Sequence, residues 1–312
     1  MPEFNPEQDI AKGLAEFRQG RKSLLPEFEL PTDDIPEQEQ LEPCPERLIS
    51  MLFQQILDEL KVGEVLKNPG FLDKLSQYIA IKLEDGPHDI EAADIACTDI
   101  TILKKMGLEL PTLSYQVLDQ NIRQPEFIAN LEYRLMIDIQ TAEDYPASVT
   151  DAVIRANNII SLGLTLPILS EEQINEAILD PNFLIHLNKA VDLYIKKSYV
   201  VESYQGWVRQ LCASIIELGL DLSDGNNQKI MAYFTDPAYI NALKQKIMTL
   251  GKNEDHSILN SALYLEEIYS LRTIIKYYSG LADEKEKAQA AHKLQTAADR
   301  TGVPPRPEQK AF

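Results

Sequence analysis

The chain has 312 residues, 44% hydrophobic and 25% charged, with a mean hydropathy of −0.23; these values suit a soluble, folded protein of two ordinary domains or one elongated one. Forty-nine acidic against thirty basic residues leave a net charge of −19, which argues against unaided binding to nucleic acid or anionic lipid. No apolar run approaches the ~20 residues that cross a bilayer, Met1-Pro2-Glu3-Phe4-Asn5 lacks the pattern of a secretory signal, and Cys44, Cys97 and Cys212 are too few and scattered for a disulfide framework. A reducing, cytoplasmic setting is expected, with a membrane-associated assembly or export as alternatives.

Residues 1–45 hold seven of the eighteen prolines and eleven acidic against four basic side chains. Repeated proline without a continuous apolar face predicts an extended, flexible tail. Within it Ile10, Leu14 and Phe17 fall at i, i+4 and i+7, one face of a short helix able to dock on another protein. At 46–57, Leu48, Ile49, Leu52, Phe53, Ile56 and Leu57 predict an amphipathic helix that caps the edge of the next structural unit.

The middle of the chain is a repeat. A Pro-x-aromatic step recurs at Pro69/Phe71, Pro125/Phe127, Pro181/Phe183 and Pro237/Tyr239, always 56 residues apart, and Gly-Leu-x-Leu recurs at Gly107, Gly163 and Gly219 with the same interval. Four units are thereby set at 58–113, 114–169, 170–225 and 226–280. Each reads as three helices. The first opens at Asp58, Ser114, Ser170 and Asn226, residue types that accept a bond from unpaired first-turn amides. The second opens at Asn68, Gln124, Asp180 and Asp236, each followed by proline, which fits a first helical position. Its core stripe contains the identical Leu75, Leu131, Leu187 and Leu243. The third carries Ala96, Ala152, Val208 and Tyr264 in one register, then Ile100, Ala156, Cys212 and Ile268, and ends on the recurring glycine in a Schellman turn.

The fourth unit has Ile275-Lys276 where Gly-Leu should stand, as expected of a terminal repeat that faces water. Residues 281–312 read as a helix-favouring stretch, Asp283 to Ala298, followed by a disordered end after Gly302 and Pro304-Pro305. The predicted architecture is all-α: a right-handed-type α-solenoid of four tandem 56-residue three-helix repeats with capping helices and flexible tails.

The sequence offers little for catalysis. No phosphate-cradling glycine loop, nucleophile elbow, zinc helix or calcium loop is present, and His88, His186, His256 and His292 are far apart. No catalytic, cofactor or metal residue is assigned; acidic clusters such as Glu84, Asp85 and Asp89 read as solvated helix ends. Helical stacks fix their core registers and vary the exposed ones, and the resulting surface binds other proteins. The variable registers of the second helix include Tyr133, Met136, Lys189 and Met248. Tyr204 and Trp207, within a tyrosine-rich third and fourth unit, are the candidate anchors of a contact region. The expected function is a non-enzymatic protein-binding scaffold or adaptor within a larger assembly, engaging proteins through the repeat face and the N-terminal helix, without nucleic acid or membrane insertion. Two alternatives stand beside it. One is an exported bacterial effector that acts by protein binding, suggested by the hydrophilic tail ending Ala311-Phe312. The other is an α/α-repeat enzyme, which requires a concave pocket with converging ionisable groups.

Overall fold

A computed structural model describes residues 44–201, 203–252 and 258–301. Ile10, Leu14 and Phe17 lie outside the described residues, as does the end of the chain from residue 302. The described chain is all-helical, with thirteen helices and no strand, and none of these helices is long and apolar enough to cross a membrane. In chain order they are α1 (Pro45–Glu59), α2 (Val62–Val65), α3 (Pro69–Asp85), α4 (Ile90–Met106), α5 (Tyr115–Ile122), α6 (Pro125–Gln140), α7 (Pro146–Leu162), α8 (Glu171–Ile178), α9 (Pro181–Ser198), α10 (Ser203–Leu218), α11 (Asp224–Thr235), α12 (Pro237–Lys252) and α13 (Ile258–Thr301).

Local chemistry sets the boundaries. Proline is the first residue of α3, α6, α9 and α12, where its missing amide costs nothing. The side chains of Asn68 and Asp180 each accept two first-turn amides, and that of Asp236 accepts the amide of Ala238 at 2.8 Å. Gln124 makes no such bond. At the other end, Gly107, Gly163 and Gly219 adopt φ of +65°, +59° and +63°, left-handed values that a β-carbon would strain. The amides of Leu108, Leu164 and Leu220 reach back to the carbonyls of Leu103, Ile159 and Ile215 at 3.0–3.1 Å, the six-to-one bond of a Schellman ending.

Two of the expected starts move. Asp58 remains inside α1, because Ile56 and Leu57 are still buried there, and the chain reverses only at Lys61, with φ +49°. Asn226 is likewise inside its helix: Ser223 caps α11 one turn earlier, and the Asn226 amide side chain donates to the Asn188 carbonyl at 2.7 Å. Ser114 and Ser170 cap α5 and α8 as expected, the latter in a reciprocal capping box with Gln173.

The core follows the predicted registers. Phe71, Phe127, Phe183 and Tyr239 are buried, and Leu75, Leu131, Leu187 and Leu243 are fully so. The corresponding residues of α4, α7, α10 and α13, from Ala96 to Leu271, are buried with them. Burying a leucine completely is worth about 1.5–3 kcal/mol, so these four positions alone are a substantial part of what drives folding.

The packing order is not that of an open stack. α4 packs on α7, α7 on α10, α10 on α13, and α13 on α4, so these four helices form a closed cycle. The outer helices sit against this cycle: α6 lies on α4 and α7, α9 on α7 and α10, and α3 on α4 and α13. Phe71 of α3 meets Tyr264 of α13 edge to face, with centroids 5.6 Å apart. The helix expected to cap the first unit instead joins the two ends. α1 packs on α2, α11 and α13; Phe53 sits 5.4 Å from Phe234, and Glu59 pairs with Lys244. The fourth unit is therefore not a water-facing terminus. With no left-handed glycine near Ile275, α13 also runs on unbroken through Gly280 to Thr301.

Candidate functional site

Closure of the cycle creates an axis. Residues from the N-terminal halves of α4, α7, α10 and α13 line one pocket of about 670 Å³, and residues from the later turns of the same four helices meet one another farther along. The four helices therefore run parallel, with their N-termini at one mouth. The lining comes from a narrow set of equivalent positions, such as Ile95, Asp151, Trp207 and Leu263, then Thr98, Ile154, Gln210 and Glu266.

The pocket wall carries six carboxylates and three basic side chains. Arg155 of α7 is buried and forks onto Asp94 of α4 at 2.7 and 2.9 Å, while its other nitrogen binds Asp138 of α6, also buried. On another side Glu267 of α13 takes Arg209 of α10 and Lys246 of α12, the latter at 2.6 Å, and Arg209 donates to the Tyr239 hydroxyl at 3.0 Å. Burial alone would raise the Glu267 carboxyl, but the charges of Arg209 and Lys246 hold it below the usual carboxylate range.

Two lining carboxylates lack such compensation. Asp151 has Arg134 only at 4.0 Å; burial first, then the charge of Asp138, pushes its pKa up to about 6. Glu266 accepts no hydrogen bond among the described residues; burial and the adjacent Glu267 push it up to about 7, with Lys246 opposing. Behind Glu266 stands Asp99 of α4, 0% exposed, with neither carboxylate oxygen hydrogen-bonded. Burial and the charge of Glu266 hold Asp99 well above its ordinary range, and Lys82 only partly offsets them.

Away from the mouth the axis stays polar but is satisfied. Asn158 donates to Thr98 at 2.8 Å. Glu217 of α10 then gathers one group from each of the other three helices: Lys105 of α4 at 2.6 Å, Asn157 of α7 at 2.6 Å and the Tyr269 hydroxyl of α13. This network ties the four inner helices together away from the mouth.

The residues singled out from sequence are distributed differently from one patch. Trp207 is 44% exposed and lines the pocket. Tyr204 is half-buried, 5.5 Å from the Tyr194 ring with the Lys197 ammonium 5.2 Å over it. Of the tyrosines between 194 and 278, Tyr194, Tyr233, Tyr239, Tyr264, Tyr269 and Tyr278 are core residues. Tyr133 and Lys189 are exposed and Met136 and Met248 half-buried, on the outer helices α6, α9 and α12, spread around the outside of the inner cycle. They do not converge. Cys97 and Cys212 are buried, and burial pushes the Cys212 thiol up to about 12, which leaves it unreactive. Among the described residues no group of three or more His, Cys, Asp or Glu side chains could hold a metal ion.

Sequence reasoning missed Arg155, Glu266, Glu267 and Asp99. A signal for them existed: they interrupt third helices whose neighbouring registers, 96, 100 and 103 with their equivalents, are all apolar. Comparison with protein families, with curated proteins and with solved structures finds no match for this chain.

Proposed function

We propose that the chain is a non-catalytic module of four 56-residue helical repeats that binds another protein, as a subunit or adaptor of a larger assembly, and that the partner docks across the axial mouth. One observation carries the reading. Exposed apolar side chains lie on the segments that lead into the inner helices: Tyr145 before α7, Tyr199, Val200 and Val201 before α10, and Leu259 at the start of α13, with Trp207 on the pocket wall. Single exposed apolar residues are ordinary, and Val200 at 84% exposure would mean nothing alone. A set of them around one acidic opening marks a contact surface, and its charge selects a basic polypeptide segment as occupant.

The test compares rim and outer-helix variants as baits in lysate of the source cells. Trp207→Ala and Val200→Asp are expected to abolish capture of a basic partner that the parent chain retains, while Tyr133→Ala retains it and circular dichroism stays unchanged in all three. Capture that survives both rim variants, or that disappears with Tyr133→Ala alone, refutes the docking face. A second reading, catalysis, draws on Glu266 and Asp151, two carboxylates near neutrality in one pocket, since acid–base catalysis favours such groups. It requires that a small molecule recovered from the pocket be chemically altered on incubation with the protein, and unaltered with Glu266→Gln.

A further inference from the structure

Three junctions around the inner cycle can be compared. Where α4, α6 and α7 meet, one base stands between two acids: Arg155 between Asp94 and Asp138. Where α10, α12 and α13 meet, one acid stands between two bases: Glu267 between Arg209 and Lys246. Where the cycle closes, between α13, α3 and α4, Asp99 of α4 lies in the field of Glu266 of α13, and no base is bonded to either. Lys82 of α3 acts on Asp99 only through space, and Tyr78 feels the charge of both Asp99 and Glu266. Asp99 occupies the register of Arg155 and Glu267, both of which line the pocket, and its two oxygens are buried without a partner. Glu266 itself lines the pocket. A fully buried, unpartnered carboxylate in the field of a second, half-buried one is costly unless a proton or a cation comes in.

We propose that this closing seam is a receptor for one alkylammonium or guanidinium group, a lysine or arginine side chain of the docked partner that enters through the mouth to bind Glu266, with Asp99 behind it. The inference rests on the docking reading and adds the chemistry by which the partner is selected. A pocket of about 670 Å³ admits a long side chain together with its flanking backbone. A hard metal ion would want a third oxygen donor that the described residues do not supply. A charge-assisted contact needs only the one accessible carboxylate, backed by the field of the second. Arg155, Arg209 and Lys246 are committed to their own acids, so they do not compete for Glu266 through hydrogen bonds.

The chain has one tryptophan, Trp207, and it lines this pocket, so its fluorescence reports occupancy directly. The experiment titrates the intact protein at pH 8 with acetyl-Gly-Lys-Gly-amide, with its arginine and norleucine counterparts, and with spermidine. Saturable emission changes are expected for the lysine and arginine peptides below ~10 mM, and none for norleucine. Glu266→Gln should weaken binding of the lysine peptide by roughly 10-fold or more, as the loss of a hydrogen bond to a charged group does. The lysine–norleucine comparison needs no variant, so the test survives should Glu266→Gln misfold. An equal response to norleucine, or silence of both basic peptides, overturns the cation receptor and leaves the docking face to its rim variants. Binding of spermidine without the peptides overturns the assignment to a polypeptide side chain. Peptide binding that persists while rim-dependent capture fails sinks the docking face but not the receptor.

Discussion

Glu266→Gln makes a sharper test of the seam's energetics than of its ligand. The Glu266 carboxyl titrates near 7 in the fold against 4.5 for an unperturbed side chain, and each pH unit of such a shift corresponds to ~1.4 kcal/mol. The charges acting on it are the adjoining Glu267 and Lys246 of α12, and it in turn acts on Asp99 of α4, which Lys82 of α3 opposes, and on Tyr78 of α3, which Glu91 of α4 also affects. Because the folded-state value is raised, the folded chain holds a proton that the unfolded chain has already released. Stability from this group is full below the unfolded value of about 4.5, falls as pH rises through the window up to about 7, and is level beyond it. The ionised seam at pH 8 therefore costs about 3 kcal/mol, which glutamine, with the same shape and no charge, does not incur. Urea unfolding followed by circular dichroism at pH 5 and pH 8 reads the difference. Glu266→Gln should match the parent within ~1 kcal/mol at pH 5 and exceed it by about 3 kcal/mol at pH 8, a gain of roughly 6–10 °C in Tm for a domain of this size. Asp99 and Glu266 titrate as a pair, so Asp99→Asn should recover part of the same gain and the double variant less than the sum. A stability difference that is independent of pH, or a variant less stable than the parent at pH 8, refutes the charge argument.

The same geometry sets the outcome of two other substitutions. Arg155→Met leaves the buried Asp138 with only the exposed Arg134, 3.5 Å away, and should cost about 3 kcal/mol in urea unfolding at pH 7; a loss below ~1 kcal/mol would mean that the Asp94–Arg155–Asp138 cluster is not structurally important. Phe53→Ala removes the ring that α1 places against Phe234 and Tyr239, and should cost about 3–5 kcal/mol while keeping a single unfolding transition. An early transition of the α11–α13 region alone, seen by hydrogen exchange, would show that closure does not couple the two ends of the chain.

Helix starts and stops were legible because each rests on a few adjacent residues. Asp180-Pro181 carries its cap and its first position together, and Gly163-Leu164 carries both bonds of its ending. Constant spacing then confirmed each from the others. The closure was not legible, since it depends on the rotation accumulated from unit to unit, and no residue pattern states that angle. The pocket was obscured for a related reason. A core register shows itself by sameness, as Leu75, Leu131, Leu187 and Leu243 do. The register of Asp99, Arg155, Leu211 and Glu267 varies as strongly as an exposed one, and across repeats it reads as surface. Its variety has a different cause: Arg155 and Glu267 balance their charge with different sets of partners, and the closing junction leaves Asp99 with none.

The parallel arrangement of the inner helices bears on which acids at the mouth need a partner. Four helix N-termini converge there, each equivalent to roughly half a positive charge, and that field fades beyond the first turn. Asp89 caps α4 through the amides of Glu91 and Ala92, and Glu91 lies in the first turn, so both sit beside those terminal amides. Asp99 is the tenth residue of α4 and Glu266 the ninth of α13, two turns deeper, where the terminal amides no longer act. Asp99 is out of reach of water with both oxygens unpartnered, and Glu266, half-buried on the pocket wall, accepts no hydrogen bond among the described residues. The mouth thus tolerates its acidic rim without help, whereas the seam below, offset only in part by Lys82 and Lys246, is neutralised by a proton or by a cation delivered from outside. Under the docking proposed above, that difference puts a basic partner's gain in affinity at the seam and not at the acidic rim. It also makes that affinity rise with pH as the seam loses its proton.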